Sequence, residues 1–276
     1  MRRALVGIVA LSVSAAPVGV ILMLRRMSLT GDAMAHAILP GAALGYLVAG
    51  FSLPAMTLGG LAAGFAVALA AGAVARLTVL KEDASLAAFY LISLALGVTL
   101  VSLRGSAVDL LHVLFGNVLA LDDSVLLLLA GVASVTLLLL AAIYRPLVLE
   151  CVDPGFLRSV SRSGGMVHLS FLALVVLNLV AGFHALGTLL AVGLMMLPAA
   201  AARFWTADVT RLIVLASLFG MVSGYGGLVA SYAAGAGLPA GPAVILAAGV
   251  VYLASLLFGS QGGLARRLLP GRHLQR

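Results

Sequence analysis

Residues 4–24 read ALVGIVALSVSAAPVGVILML, a run without a charged side chain that ends at Arg25 and Arg26. A helix needs about 20 apolar residues to cross the hydrocarbon core of a bilayer, so this run is long enough to span it. A signal peptide is the alternative, because Arg2 and Arg3 precede the run. The unbroken length and the arginine pair at the end are typical of a stop-transfer segment, and we therefore predict a membrane span.

The rest of the chain has the same apolar character. Of its 276 residues, 63% are hydrophobic and 9% are charged, against roughly 45–50% and 25% in soluble domains. A soluble fold of this size could not hide so much apolar surface. Alternating β-barrel patterning is absent, so helices must satisfy the backbone, and we predict an all-α polytopic bundle of about eight or nine spans in one domain, residues 1–276. Further spans are predicted at residues 34–50, 54–75, 85–103, 124–144, 168–184, 187–204, 211–234 and 240–259.

Glycine predicts how these helices pack. The chain has 32 glycines, and several recur four residues apart, as Gly41 and Gly45 do in the stretch GAALG. Lipid provides no hydrophobic force between helices, so close backbone contact at small residues must hold them together. We therefore expect a tightly packed bundle.

Basic residues predict the orientation. With nine spans, the loops with Arg25, Arg76 and Arg145 and the tail at residues 260–276 fall on one side, which the positive-inside rule makes cytoplasmic. The same count puts the basic N-terminus outside, against the rule. Either the first run is not a full span or the later loops determine the orientation.

Residues 104–123 form the longest predicted outer segment. Their apolar part is too short to cross the membrane, so we predict a short helix at the outer interface. Asp109, His112, Asp122 and Asp123 make this face the more acidic one. We expect these side chains to help receive a cation or to orient a binding protein, mainly by raising the rate of association.

Residues 145–167 form the longest predicted cytoplasmic loop. Asp153 followed by proline is typical of a helix start. A short helix here suits docking of another subunit, with Phe156 and Leu157 as apolar contacts and Arg158 at the rim. An ordinary amphipathic connector is the alternative.

Asp32 and His36 stand out because ionisable side chains are otherwise nearly absent from the predicted spans. They lie four residues apart, at the predicted cytoplasmic start of the second span, so a helix puts both on one face. Carboxylate and imidazole are ligands for a divalent cation such as Zn²⁺ or Mn²⁺. Pro40 lacks an N–H, which leaves the carbonyl of His36 without its helical partner. The alternative is a structural Asp–His hydrogen bond that joins helices.

Several chemistries are excluded. The chain has no G-x-x-x-x-G-K-[ST] motif, so it cannot cradle ATP in a P-loop, and no H-E-x-x-H zinc-protease motif. The single Cys151 excludes an intramolecular disulfide. No basic patch interleaved with aromatic residues indicates nucleic acid. His184 is interpreted as a turn residue or a gate ligand, and Asn178 as a polar link between helices.

Six blocks of sequence, in order along the chain, resemble the zinc/manganese/iron ABC transporter permeases. These are the membrane subunits of bacterial metal importers. The blocks are residues 25–41 (RRMSLTGDAMAHAILPG), 81–84 (KEDA), 112–119 (HVLFGNVL), 153–157 (DPGFL), 187–203 (GTLL to LPAAAAR) and 239–242 (PAGP).

The resemblance implies a fold like that of type II ABC importer permeases, in a multi-pass protein of the bacterial plasma (inner) membrane. It implies a permease homodimer with two cytoplasmic ATP-binding subunits and a periplasmic or surface metal-binding protein. Asp32 and His36 map onto the family's metal pathway. No enzyme activity, no permanently bound cofactor and no nucleic-acid partner are expected, and ATP would be hydrolysed by the partner subunits. The details look closest to zinc-importing members, so Zn²⁺, or else Mn²⁺, is the expected cargo.

Two other functions remain open from the residues. A secondary transporter driven by an ion gradient would need an internal inverted repeat, and no convincing one is visible. An ABC permease for a siderophore or vitamin would need a wide apolar cavity and no Asp–His pair.

Overall fold

The computed structural model describes residues 1–50, 52–80, 82–102, 121–152, 164–234 and 238–265. Within these ranges the chain is all helical, as predicted, and contains no strand. Polar backbone groups inside a bilayer need partners within the protein, and an α-helix supplies them along its own length. The helices are α1 (Arg2–Leu24), α2 (Ser28–Ala37), α3 (Leu39–Ala49), α4 (Leu53–Leu77), α5 (Glu82–Ser102), α6 (Asp123–Val152), α7 (Gly164–Leu186), α8 (Thr188–Arg203), α9 (Val209–Ala233) and α10 (Ala240–Phe258).

Eight helical segments of the described chain are long and apolar enough to cross a membrane, with α2 and α3 counted together. Helix α8 corresponds to the predicted span at residues 187–204 but has only 16 residues. At 1.5 Å per residue it rises about 24 Å, short of the roughly 30 Å hydrocarbon core. The prediction of eight or nine spans is confirmed, and α8 is the segment on which the count depends.

Helix α1 lies at the centre of the bundle. It packs against α6, α7, α8 and α9, and most of its side chains are buried. A segment around which the other helices pack is structural, and this disfavours the signal-peptide interpretation. Its 23 residues are also long and apolar enough for a full span.

Helices α3 and α4 make the close contact predicted from the glycine spacing. A Cβ atom added to Gly41 would collide with the backbone oxygen of Gly59, and one added to Gly59 would collide with that of Gly41. Gly45 approaches the backbone of Ala55 and Met56 in the same way. Only glycine allows two helix backbones to approach this closely, so van der Waals contact replaces the missing hydrophobic force.

The predicted cytoplasmic loop at residues 145–167 is shorter than expected. Residues 145–152 continue α6 and residues 164–167 begin α7. Helix α6 has 30 residues, which rise about 45 Å and therefore extend beyond the hydrocarbon core. The predicted coupling residues Asp153, Phe156, Leu157 and Arg158 lie outside the described ranges.

Two ion pairs join α1 to α6, one at each end. We call the end with Arg3 the outer end and the end with Arg25 the inner end, following the predicted orientation. At the outer end, Arg3 lies 3.0 Å from Asp123, and both side chains are exposed. At the inner end, Arg25 Nη2 donates to Glu150 Oε1 at 2.9 Å, and both are about nine-tenths buried.

The inner pair is part of a larger buried cluster. Arg25 Nη2 lies 2.6 Å from Nδ1 of His168 on α7, and the guanidinium lies 5.3 Å from the centre of the Phe171 ring. Because a guanidinium only donates, Nδ1 of His168 must accept. The cluster therefore joins the inner ends of α1, α6 and α7 through one arginine, which sequence reasoning did not predict.

We predict that glycine at position 59 is required for folding. Overpacking a well-packed site costs roughly 1–3 kcal/mol, and Gly59→Leu should lower the free energy of unfolding by at least that amount. The new side chain would meet backbone atoms of Gly41, which cannot move aside as a side chain can. Gly72→Leu on the same helix is the control, since its added side chain would enter open space. Thermal unfolding of the purified variants measures the difference, and equal stability would contradict the close contact.

We predict that the two ion pairs differ in their contribution to stability. Glu150→Gln leaves the buried Arg25 charge without its counter-ion, which costs about 3–5 kcal/mol. Asp123→Asn breaks the exposed pair with Arg3 and should cost about 0–1 kcal/mol. Thermal unfolding in detergent compares the two. A larger effect at Asp123 would show that the inner cluster does not hold the helices together.

Candidate metal-ion pathway site

Helices α2 and α3 are two halves of one crossing segment, interrupted at Ile38. The predicted uninterrupted span at residues 34–50 is therefore corrected, since the segment begins at Ser28 and is broken. Pro40 accounts for the break. It has no N–H to donate to the carbonyl of His36, and its ring crowds the preceding turn, so the regular ladder stops there.

The interruption lies deep inside the bundle. Ser93, halfway along α5, donates its hydroxyl to the carbonyl of Ala37 at 3.0 Å. Gly31 packs against the methyl ends of Met195 and Met196, in the middle of α8. Asp32 and His36 are the fifth and ninth residues of the crossing segment, so they lie in its inner half, one to two helical turns beyond its start at Ser28.

Asp32 and His36 are close together but not hydrogen-bonded. Asp32 Oδ1 lies 3.8 Å from His36 Nε2, beyond hydrogen-bond range. Two ligand atoms that share one tetrahedral ion lie about 3.4 Å apart, so a small side-chain movement would let both bind the same cation. In the described part of the chain, no hydrogen bond or ion pair joins Asp32 to another helix, which disfavours the structural alternative.

The side chain of Asp32 is exposed although it lies within a crossing segment. Its side chain is 61% exposed on the isolated chain, and that of His36 is 27% exposed. Leu29, one turn earlier on the same face of α2, is 77% exposed. A carboxylate facing lipid is costly, by up to about 2.5–3.5 kcal/mol at the centre of a spanning helix, so Asp32 should face a partner or a water-filled path. We call Leu29, Asp32 and His36 the open face of α2.

One chain offers too few ligands for a complete metal site. Among the described residues, no group of three or more His, Cys, Asp or Glu side chains is arranged to hold a metal ion. Asp32 and His36 supply two ligands, whereas a divalent cation takes four or more. A cation bound by this pair would therefore take its remaining ligands from outside the described part of this chain.

The sequence matches a known transport family over nearly its whole length. A model of the ABC 3 transport family matches residues 1–259. This chain belongs to the ABC 3 transport family.

Relatives of this ABC 3 chain carry names that refer to manganese. The manganese transport system membrane protein MntC of Listeria monocytogenes is 33% identical over 264 residues, covering 96% of this chain and 92% of MntC. The manganese import system permease protein ScaB of Streptococcus parasanguinis is 31% identical over 256 residues, covering 92% and 89%. The expected preference for zinc finds no support in these names.

Solved structures share the fold. PsaBC from Streptococcus pneumoniae in complex with Fab matches with a TM-score of 0.83 and 29% identity, covering 94% of this chain and 92% of that one. An inward-facing metal-chelate type ABC transporter matches with a TM-score of 0.70 and 15% identity, covering 92% and 84%. The second likeness concerns the fold alone, and together they agree with the predicted importer-permease architecture.

The predicted steering residues of this ABC 3 permease are only partly described. Asp109 and His112 lie outside the described ranges. Asp122 accepts hydrogen bonds from the backbone N–H of Asp123 and from the hydroxyl of Ser124, both at the start of α6. Since Asp123 also pairs with Arg3, both carboxylates have structural partners, and steering by them stays a prediction.

Two polar residues inside α7 also have structural partners. Asn178 donates to the hydroxyl of Thr136 on α6 at 2.8 Å, so the predicted link between helices is confirmed. His184 lies in the last turn of α7, where Nδ1 donates to the carbonyl of Val180 at 2.9 Å. Neither side chain lies on the open face of α2.

Sequence reasoning missed two residues beside His36. The ring of Tyr90 on α5 stacks on the imidazole, with centroids 6.2 Å apart, and Ser93 contacts the next residue, Ala37. The available signal was weak, because a tyrosine and a serine three positions apart on an apolar helix are common. Only the packing of α5 against α2 connects them with the site.

Proposed function

We propose that this chain is the membrane permease of an ATP-driven importer for a divalent transition metal, with Mn²⁺ as the principal cargo. The observation that carries the proposal is Asp32, which is 61% exposed in the inner half of the crossing segment and lies 3.8 Å from His36. A carboxylate in that position is costly unless a cation or another subunit meets it.

A two-fold dimer would complete the site. If the open faces of α2 from two copies meet at the axis, they contribute two carboxylates and two imidazoles. Four such nitrogen and oxygen ligands suit tetrahedral Zn²⁺, and they suit Mn²⁺ when water adds further ligands. Conduction requires binding weak enough for release. The ligands should therefore converge in one conformation and separate in another.

The choice of Mn²⁺ over Zn²⁺ rests on two arguments. MntC and ScaB are both named for manganese. Carboxylate and water are the ligands that Mn²⁺ prefers, and neither thiolate nor additional histidine lies beside Asp32 in the described part of the chain. Zn²⁺ is the competing cargo, since it binds comparable ligands more tightly in the general affinity order.

Energy and cargo would come from other subunits. The chain has no P-loop, so two ATP-binding subunits at the inner end would hydrolyse ATP, with residues 153–158 as their docking segment. A periplasmic or surface metal-binding protein would deliver the ion at the outer end. The assembly would lie in a bacterial plasma (inner) membrane.

The two alternative functions have less support. Membership in an ABC transport family disfavours a transporter driven by an ion gradient. A siderophore or vitamin permease would have no use for the carboxylate and imidazole on the open face.

We predict that Asp32 and His36 are required for uptake. Asp32→Asn keeps the side-chain size but removes the charge that binds the cation, and His36→Ala removes the second ligand. Each should reduce uptake of radioactive Mn²⁺ at least about tenfold in cells that carry equal amounts of the permease in their membranes. Tenfold is the lower end of the loss in metal affinity or activity when a residue that supports a metal ligand is removed.

Asp208→Asn is the matched control for these variants. Asp208 caps α9 by accepting from the N–H of Arg211 at 2.9 Å, and asparagine caps helices equally well, so uptake should stay normal. Competition between Mn²⁺ and Zn²⁺ in the same assay identifies the cargo. Normal uptake by both site variants would mean that the pair is structural.

We predict that the open faces of α2 meet in the dimer. In a Cys151→Ser background, Leu29→Cys places a thiol on the open face and should form a covalent dimer with a short thiol-reactive crosslinker in membranes. Val250→Cys on α10 is the control, because Val250 is also well exposed but lies on a helix that packs with α8 and α9, away from α2. Dimers through position 250 but not 29 would contradict this arrangement.

A further inference from the structure

One face of α5 contacts the interruption at three points. Tyr90, Ser93 and Gly97 are spaced by three and four residues, so they share that face. Tyr90 stacks on the ring of His36, and Ser93 donates to the carbonyl of Ala37. A Cβ atom at Gly97 would lie 3.0 Å from the nitrogen of Pro40. The three residues therefore contact successive parts of the backbone, from the end of α2 to the start of α3.

Ser93 differs from many hydroxyls of the spanning helices, although Ser85 on the same helix also donates to another helix, at the carbonyl of Ala71 on α4. Thr57, Thr99 and Ser134 each donate to the carbonyl four residues earlier in their own helix, which is the usual behaviour of such residues. Ser93 donates instead to Ala37 on another helix, and its side chain is buried. A backbone group at a helix break inside a membrane needs a partner from the surrounding protein, and Ser93 supplies one.

The imidazole of His36 lacks the usual means of orientation. A histidine that binds metal generally donates its other ring nitrogen to a carboxylate or carbonyl, which fixes the ring. Nδ1 of His36 is buried, yet within the described residues it has no hydrogen-bond partner. Its orientation must therefore come from packing against Tyr90 and from the fixed backbone of Ala37.

Gly97 makes this arrangement possible. It is buried, and it lies 3.0–3.3 Å, measured from an added Cβ atom, from atoms of Leu39 and Pro40. A larger side chain would push α5 away from the interruption. The hydroxyl of Ser93, one helical turn earlier, would then no longer reach Ala37.

We propose that Tyr90 and Ser93 are positioning residues that hold the imidazole of His36 where it can share a cation with Asp32. This inference rests on the proposed function. In this arrangement side chains of α5 orient the imidazole, while the atoms that bind the cation belong to Asp32 and His36 on α2. Loss of either residue should lower the affinity for the cation without affecting the rest of the bundle.

The test measures Mn²⁺ binding by the complete permease–ATPase complex in lipid nanodiscs. Binding is detected as a loss of the electron paramagnetic resonance signal of free Mn²⁺. Ser93→Ala and Tyr90→Leu should each weaken binding about tenfold, the lower end of the effect of losing an outer-shell partner. Ser93→Thr keeps the hydroxyl and Tyr90→Phe keeps the ring, so both should bind within about twofold of the wild type. Thr99→Ala, which removes a hydroxyl bonded within α5, should have no effect.

The outcomes separate this inference from the proposed function. If Asp32→Asn abolishes binding while Ser93→Ala and Tyr90→Leu bind normally, α5 does not position the ligand and only this inference fails. Equal losses in Ser93→Ala and Ser93→Thr also overturn it for Ser93, and equal losses in Tyr90→Leu and Tyr90→Phe overturn it for Tyr90. Normal binding by Asp32→Asn, or no binding by the wild type, overturns the proposed function together with it.

Discussion

A backbone group inside a bilayer must find its hydrogen-bond partner in the protein, and Pro40 removes one such partner in the middle of the bundle. The chain responds by dividing one crossing segment into α2 and α3. A break at this depth is tolerable only where other helices cover it. The serine, the tyrosine and the glycine on one face of α5 do so. The same break lies directly after His36, so the site of proposed chemistry and the site of backbone irregularity coincide.

Close packing supports this irregular segment on its other side. Helix α3 lies against α4 through Gly41 and Gly59, whose backbones approach as closely as glycine allows. In a membrane such contacts replace the hydrophobic force that holds soluble helices together. The half-helix that follows the break is therefore fixed by α4, and α2 before the break is fixed by α5. Mobility at the site would come from side chains or from the second subunit.

Several of the charged side chains lie where another charged or polar group can pair with them. The buried charges of Arg25 and Glu150 pair with each other at the inner end, where His168 also contacts the arginine. The exposed pair of Arg3 and Asp123 lies at the outer end, and it places a basic residue there against the positive-inside rule. Asp32 has no basic partner in the described chain apart from His36. Its charge is thus left for a cation or a second subunit to meet.

The sequence by itself determined the helical class, the approximate spans, the glycine contact at Gly41 and the pair of candidate ligands. These follow from local patterns, because hydrophobic length, four-residue spacing and residue chemistry are all read along one segment. Only the tertiary structure decided that the second span is broken, that Asp32 is exposed on the surface of the isolated chain, and that Tyr90 and Ser93 lie beside His36. It also brought Arg25, Glu150 and His168 together from three helices. These features depend on which helices become neighbours, and the spacing of residues along one chain does not contain that information.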